Sequence, residues 1–570
     1  MLAAVITVLA LLAPVDAEPS ADLAHAVAFI EAPYDPETVV RAGYGAGIVS
    51  LAFGFGLFAL VAIPPFVVVL VTIGLTLSSI HAVHELPGLL AAFKRTRALG
   101  EAPNLIGRAV LRMEIHPATE TAVGFAAETG RGPLSESLQS SIDRTMGTPQ
   151  TGLIDFAENW ADDFPALRRS AHLLSTAESA PEGERARTLD RSLDAILNGT
   201  REQMADFTNA IRGPTTGLYA FGVMVPMAVI ALVPAAAMAG VPVSVWVFVV
   251  LYDVALPAVL IGASVWLLVR RPVAFPPPQI DRNHPDVQNR LWLPVGVGLA
   301  TGAIGYVVPS LSTFDLGYLS PVAAVGTGVG GFLLSYFDPI TDVREYVRNV
   351  EDHLTDALYL VGRQVSEGEA VEAALKQAGD RVPAETGEVF ERAAGIQQRL
   401  HLTVDEAFFG EYGALTDIPS ARAHGTASLL SIAAEEGQPA GRAVVSMADH
   451  LEELQEVESE AKRQLSAVTG TLDTTAAYFG PLIAGTVLAL ADIISTTDSI
   501  SEFGAEPLAT EPLGIVVGVY VIIMSVVLTT LSVGLRHGLD RPLVGYRVGQ
   551  SLLSAIPLYV GSVFLVGKVM

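Results

Sequence analysis

Few residues in this chain have types and spacings that could do chemistry. His81-Ala82-Val83-His84-Glu85 sets two imidazoles three positions apart with a carboxylate beside them, at the end of an uncharged run. On a helix this set could contribute to a divalent metal site, although a structural centre takes four ligands. Interfacial polar residues that end a membrane helix look the same, so both readings stand. Asp253 lies inside another uncharged run and Asp492 near the end of a third. A carboxylate in hydrocarbon is costly, so it marks a proton or ion relay or is kept by a hydrogen bond from a neighbouring helix. No run offers Asp253 a basic partner. Lys94-Arg95-x-Arg97 and Arg168-Arg169 gather positive charge in an otherwise acidic chain. They are candidate docking charges for an acidic partner surface, against the plainer reading of charge collected at membrane junctions.

Other chemistries are excluded. A phosphate-binding loop needs Gly-x-x-x-x-Gly-Lys-Ser/Thr, and the four lysines (Lys94, Lys376, Lys462, Lys568) can all be checked. None fits; Gly567-Lys568-Val569 lacks both the preceding strand and the hydroxyl. The pairs Gly298/Gly302 and Gly326/Gly330 lie in uncharged runs, where small residues let helices approach closely, and no βαβ context makes them a dinucleotide site. With 0 cysteines there are no disulfides, thiolate ligands or cysteine nucleophiles. No Ser/His/Asp set or carboxylate pair stands out from ordinary acidic surface, so no cofactor is expected. The net charge of -26 without a basic stripe argues against nucleic-acid binding. An acidic, lysine-poor surface suits high internal salt, where repulsion between carboxylates is screened, and points to a salt-loving microbe.

The elements that must position these residues are membrane helices. The chain is 51% hydrophobic and 16% charged, with mean hydropathy +0.46. The apolar residues fall into runs of 18 or more, long enough at 1.5 Å per residue to cross roughly 30 Å of hydrocarbon. Gly45 to Ile63 and Phe66 to Val83 are split by Pro64-Pro65 and read as a hairpin. Residues 84–216 are mixed polar sequence with apolar residues at helical spacing, such as Leu189, Leu193, Ile196 and Leu197. Gly217 to Ala239 and Val245 to Val269 form a second hairpin, followed by a Pro-rich linker over 270–290 (Pro276, Pro277, Pro278). The scheme then restarts: a hairpin at 291–336, a polar helical region at 337–473, a hairpin at 474–535, and a ninth run from about Val548 to Val566 after a basic loop. Residues 1–44 carry a short apolar segment and an acidic stretch; Leu2 to Leu12 with Val15-Asp16-Ala17 is compatible with a signal, a short anchor or a misplaced start. The expected fold class is all-α, a polytopic membrane protein with about nine transmembrane helices and two helical-bundle domains in tandem.

Residues inside the two polar regions also match in order. Glu120-Thr121-Ala122-Val123 with Gly130 and Pro133 parallels Glu369-Ala370-Val371 with Gly379 and Pro383. Leu173-Leu174-Ser175 parallels Leu429-Leu430-Ser431, and Tyr219-Ala220-Phe221-Gly222 parallels Tyr478-Phe479-Gly480-Pro481. Charge fixes an expected orientation. The turns 64–65, 240–244 and 311–315 and the loop 495–513 (Asp498, Glu502, Glu506, Glu511) contain no Lys or Arg, whereas Arg41, Arg270, Arg271, Arg282, Arg290, Arg536, Arg541 and Arg547 fall on the other side. That places both polar regions in the cytoplasm, with Lys568 a mild exception.

Taken together, Glu-x-Ala-Val and Gly-x-x-Pro early in a polar domain, Leu-Leu-Ser later, and a following span opened by Tyr-x-Phe-Gly or Tyr-Phe-Gly-Pro resemble the archaeal assembly-platform proteins of type IV pili and archaella. These are built from two type II secretion F domains, and the resemblance covers residues 45–535. It implies a non-enzymatic platform in the cytoplasmic membrane. Such a platform docks a hexameric secretion ATPase, moves pilin or archaellin subunits out of the bilayer, and forms a homo-oligomer, as a dimer. The competing expectation is a repeat-built transporter using Asp253, although such transporters do not need about 130 polar residues inserted in each half.

Overall fold

The structure, a computed structural model, describes residues 2–13, 15, 18–60, 64–130, 132–145, 152–238, 244–272, 275, 278, 280, 284–287, 291–311, 316–436, 438–496 and 510–569. The turns 240–243 and 312–315, most of the acidic loop (Asp498, Glu502, Glu506), Pro276, Pro277, Arg282, Arg290 and Asp16-Ala17 lie outside them. The described residues form helices and no strand. Nine of these helices are long and apolar enough to cross a membrane, so the chain is an all-α, multi-pass membrane protein.

The chain opens with α1 (Leu2–Leu11), α2 (Ala21–Phe29) and α3 (Pro36–Leu60). Ser20 accepts the Leu23 amide, which accounts for the start of α2 within the acidic stretch. Helix α4 (Pro65–Gly100) begins at the proline of the Pro64-Pro65 turn, which is favoured at a first helical position, and runs out of the apolar zone without a break. Five shorter helices follow: α5 (Ala102–Ile115), α6 (Thr119–Thr129), α7 (Pro133–Thr145), α8 (Gly152–Asn159) and α9 (Pro165–Ser179). Helix α10 (Glu182–Tyr219) leads through a π turn (Ala220–Met224) into α11 (Val225–Met238), and α12 (Val245–Phe248) leads through a second π turn (Val249–Ala255) into α13 (Leu256–Val269).

The second half has the same order. A span, α14 (Trp292–Ser310), precedes α15 (Ser320–Asp352), which is continuous like α4. Then come α16 (Leu354–Ser366), α17 (Val371–Arg381), α18 (Ala384–Leu400), α19 (Val404–Phe409), α20 (Ala421–Glu436) and α21 (Gln438–Thr474). A π turn (Thr475–Phe479) joins α21 to α22 (Gly480–Thr496), and α23 (Thr510–His537) and α24 (Arg541–Val569) end the chain. Helix starts correspond one for one: Ala102 with Leu354, Thr119 with Val371, Pro133 with Ala384, Gly152 with Val404, Pro165 with Ala421, and Glu182 with Gln438. The three sequence matches noted above fall at equivalent places in this order.

In α4 and α15 only about 20 residues are apolar enough to lie in hydrocarbon; the polar ends of these two helices, and nearly all of α10 and α21 ahead of their π turns, project beyond it and carry the shorter helices. Within each polar bundle the returning long helix packs on the first short one, α10 on α5 and α21 on α16. One continuous buried cluster runs from Leu105, Phe156 and Leu174 through Leu375 and Phe390 to Tyr520 and Ile556, so the bundles and the spans share a core. Helices α14 and α15 pack backbone to backbone. A Cβ added at Gly302 would lie 3.1 Å from Ala324 O and 3.3 Å from Gly328 Cα. The hydroxyls of Thr301 and Thr327 donate to each other's main-chain oxygens at 3.0 and 2.9 Å. Gly298 and Gly302 therefore serve close approach, as expected, and so do Gly326 and Gly330, which face Ile556 and Leu552 of α24.

Candidate functional site

Three places combine polar groups with unusual backbone or burial: the π turns, the seam between the two polar bundles, and a cavity where that seam meets the membrane end.

Each π turn stops two residues before a proline: Met224 before Pro226, Ala255 before Pro257, Phe479 before Pro481. The cause is local. The residue after each turn donates five residues back (Val225 to Ala220, Leu256 to Leu251, Gly480 to Thr475), which skips one carbonyl, and the proline has no N–H for another. Freed oxygens in a membrane interior need donors. Tyr520 donates to Gly222 O and Ser525 Oγ donates to Ala476 O at 2.8 Å, while Tyr252 donates to Pro226 O at the start of α11. The Tyr252 and Tyr520 rings meet edge to face at 5.4 Å, which ties the second hairpin of the first half to α23. The parallel Tyr-x-Phe-Gly and Tyr-Phe-Gly-Pro segments thus overlap the π turns through which α10 and α21 enter the membrane.

Asp253 sits in the middle π turn, half-buried, and its Oδ1 has no hydrogen-bond partner among the described residues. Asp492 accepts a hydrogen bond from Thr510 Oγ1 at 2.8 Å and ties the end of α22 to the start of α23. His81 is exposed, whereas the half-buried His84 ring contacts Val40 O at 3.2 Å and lies edge-on to Tyr44, so it positions α3 against α4. The two imidazoles do not converge.

The candidate docking charges separate as well. Lys94 Nζ donates to Phe29 O at 3.1 Å and lies 3.5 Å from Glu31; Arg95 pairs with Asp163 at 3.3 Å, and both cations stand over the Phe29 ring. They fasten α2 to the first bundle. Arg168 reaches Glu158 at 3.7 Å with half its side chain in solvent, and Arg169 is exposed with no ion pair among the described residues. Only Arg97 lies elsewhere, on the wall of the cavity.

The seam is formed by α5, α10 and α21. Ser446 Oγ donates to Glu114 at 3.0 Å, and Arg201 lies 3.5 Å from Glu456. A Cβ at Gly107 would stand 1.8 Å from His450 Nε2, so only glycine lets the two bundles close here. His450 is fully buried, and that burial pulls its imidazole down to about 4.

Where the seam reaches the membrane end, a cavity of about 1300 Å³ opens between the bundles. Within the second bundle, Arg422 on its wall pairs with Glu458 and lies 3.5 Å from Glu351, while Lys462 Nζ reaches Glu458 at 2.6 Å. Burial pulls the Glu458 carboxyl up, but Arg422 and Lys462 outweigh it and hold the group at about 2. Glu351 has only Arg422 as cationic partner, and burial leaves its carboxyl above the usual range. Arg271, fully buried beside the cavity's membrane end, donates to the last carbonyls of α23, Gly534 O at 3.2 Å and Arg536 O at 3.0 Å. Thr96 Oγ1 donates to Arg271 O at 3.0 Å, so one residue joins α4, α13 and α23. In the sequence Arg270-Arg271 reads as loop charge, and the lack of any Asp or Glu between Asp253 and Asp281 to pair with it is the one local signal of another role. Comparison with protein-family models, with curated proteins and with solved structures finds no match in any of the three.

Proposed function

We propose that this chain is a membrane platform that passes mechanical displacement between cytoplasmic protein partners and its own spans, as in the filament-assembly family it resembles. One observation supports this reading above the others: four helices of 33 to 38 residues (α4, α10, α15, α21) run from the polar bundles to the spans, each as a continuous helix or through a single π turn. At 1.5 Å per residue each is ~50 Å or longer, so a push on a bundle is carried into the bilayer by a rod rather than lost in a loop. The π turns between α10 and α11 and between α21 and α22 are the places where such a rod can change register, because their carbonyls are held by side chains instead of by the helix ladder. In this reading both bundles are cytoplasmic, a hexameric secretion ATPase supplies the motion, a pilin-like subunit is the cargo, and the platform works as a homodimer.

The cysteine-free chain makes topology direct to test. Single cysteines at Arg169 and at Arg399 should react with a membrane-impermeant maleimide only after cell lysis, and one at Glu511 should react in intact cells. Co-purification of the full chain with a secretion ATPase from the same cells, and loss of surface filaments on deletion, are the expected functional results. Absence of both would remove the platform reading. A transporter remains the alternative, favoured by the unpartnered Asp253 Oδ1 in a π turn; its test is solute or ion flux in proteoliposomes that disappears in Asp253→Asn.

A further inference from the structure

The cavity at the membrane end of the seam has a charge balance unlike the rest of the molecule. Seven Arg and Lys side chains line it against six carboxylates, in a chain whose net charge is -26. The carboxylates are unevenly available. Glu351 and Glu458 are taken up by Arg422 and Lys462, as described above, and Asp342, Glu345 and Asp352 are exposed at the mouth. Glu101 remains on the wall near Arg97 and Arg108.

The cations are also uneven. Arg344 has a side chain only 10% exposed and uses one terminal nitrogen for both oxygens of Asp540, at 2.8 and 2.7 Å. Its Nε and Nη1 are buried and have no hydrogen-bond partner among the described residues, and Arg97 Nε is in the same condition. Arg348 is exposed and unpaired among the described residues, and Arg547 donates to Gln550 Oε1 at 3.1 Å and makes no ion pair among the described residues. An unsatisfied buried guanidinium edge is costly to keep, and a ligand that completes it is correspondingly favoured.

The cavity's position limits the class of ligand. His537, Tyr546 and Arg547 lie within two residues of the apolar runs of α23 and α24, so this wall is at the bilayer interface. Arg344 is ~12 Å beyond the apolar end of α15, and Arg97 ~20 Å beyond that of α4, at 1.5 Å per residue. A set of guanidinium groups with free N–H edges, spread over that height, matches the oxygens of a phosphate or phosphodiester, which accept bidentate hydrogen bonds from Arg.

We propose that this cavity binds a phosphate-bearing anion between the two bundles, held by Arg344 and Arg97 with Arg348 and Arg547 at its opening. Because the site spans α4, α15 and α24, occupancy couples the first bundle to the second and to the last span. The phosphate has two sources, an acidic lipid headgroup entering at the interface or a soluble phosphate ester entering from the mouth. The inference does not depend on the platform reading.

The test uses the full chain in nanodiscs of phosphatidylcholine. In one arm inorganic pyrophosphate is titrated and binding is followed by calorimetry. In the other, phosphatidylglycerol is added and its retention is counted by native mass spectrometry. Wild-type protein should bind at least one probe, and Arg97→Gln and Arg344→Gln should each weaken that binding tenfold or more, with Arg168→Gln unchanged. Binding of pyrophosphate alone assigns a soluble ester, retention of phosphatidylglycerol alone assigns a headgroup, and binding of both with mutual competition assigns one site open to either. If Arg344→Gln does not fold, Arg97→Gln and Arg348→Gln, whose side chains make no ion pair among the described residues, decide the matter. No binding of either probe by wild-type protein, or equal binding by the variants, overturns the proposal.

Discussion

The hydroxyl of Tyr520 on α23 donates to the main-chain oxygen of Gly222 in the π turn between α10 and α11. Gly222 O is free because the residue four places on, Pro226, has no N–H. The bond therefore joins the two halves of the chain inside the membrane, at the point where the first bundle's long helix enters it. Tyr520→Phe should lower stability by ~1–2 kcal/mol, the cost of leaving a buried carbonyl unpaired. In a Pro226→Ala background the restored amide can take that oxygen, so the same substitution should cost much less. Thermal unfolding of the four proteins of this cycle in one detergent measures the difference; equal costs in both backgrounds would contradict this account of the freed carbonyl.

Gly107 and His450 set how closely the bundles approach. Gly107→Ala places a methyl group inside contact distance of the imidazole, and the expected cost is ~1–3 kcal/mol for overpacking. His450→Ala makes room for that methyl, so the double variant should lose less than the two single losses combined. Chemical denaturation with the slope held common across variants is the measurement.

The architecture was legible in the sequence to a large extent, and the reasons are physical. Hydropathy alone located the nine spans, because backbone in hydrocarbon must be helical and helices of a set length are needed to cross it. The π turns were half legible: the rhyming Tyr/Phe/Gly segments were visible, and Pro226, Pro257 and Pro481 supplied the local cause, but a proline inside a helix does not require a π turn, as Pro214 in α10 and Pro557 in α24 show. The cavity was not legible. Its charges come from α4, α5, α15, α20, α21 and α24, and nothing local marks Arg344 or Arg422 as different from the solvated charges around them. Lys94 and Arg95 show the converse: adjacent basic residues that look available are committed to Phe29, Glu31 and Asp163.

Acid should weaken the second bundle first. Glu458 is held at about 2, below an unfolded value of ~4.3, so its contribution is present above pH ~4.3 and is lost as pH falls toward 2. The contribution is on the order of 3 kcal/mol, and the side chain is only 16% exposed, so solvent screening removes little of it. Glu351, shifted upward, acts in the opposite sense and gains as it protonates. Glu458→Gln should therefore be less stable than wild type at pH 7 and nearly equal to it at pH 2.5. Parallel pH-dependent unfolding curves would refute the assignment.

Asp253 distinguishes the two functional readings at one position. Its Oδ1 is buried without a partner among the described residues, so a charge there is held against the apolar surroundings and costs stability. Asp253→Asn keeps the size and removes that charge, and the variant should unfold at the same temperature or a higher one. If the chain is a platform, filament assembly in cells carrying Asp253→Asn should be within about twofold of wild type, because the rods through α10 and α21 do not pass through this residue. A relay residue behaves differently: the more stable variant would lose function, since a carboxamide cannot take up and release a proton. Stability and function moving in opposite directions at this residue would therefore favour the transporter over the platform, whatever the fate of the docking experiments.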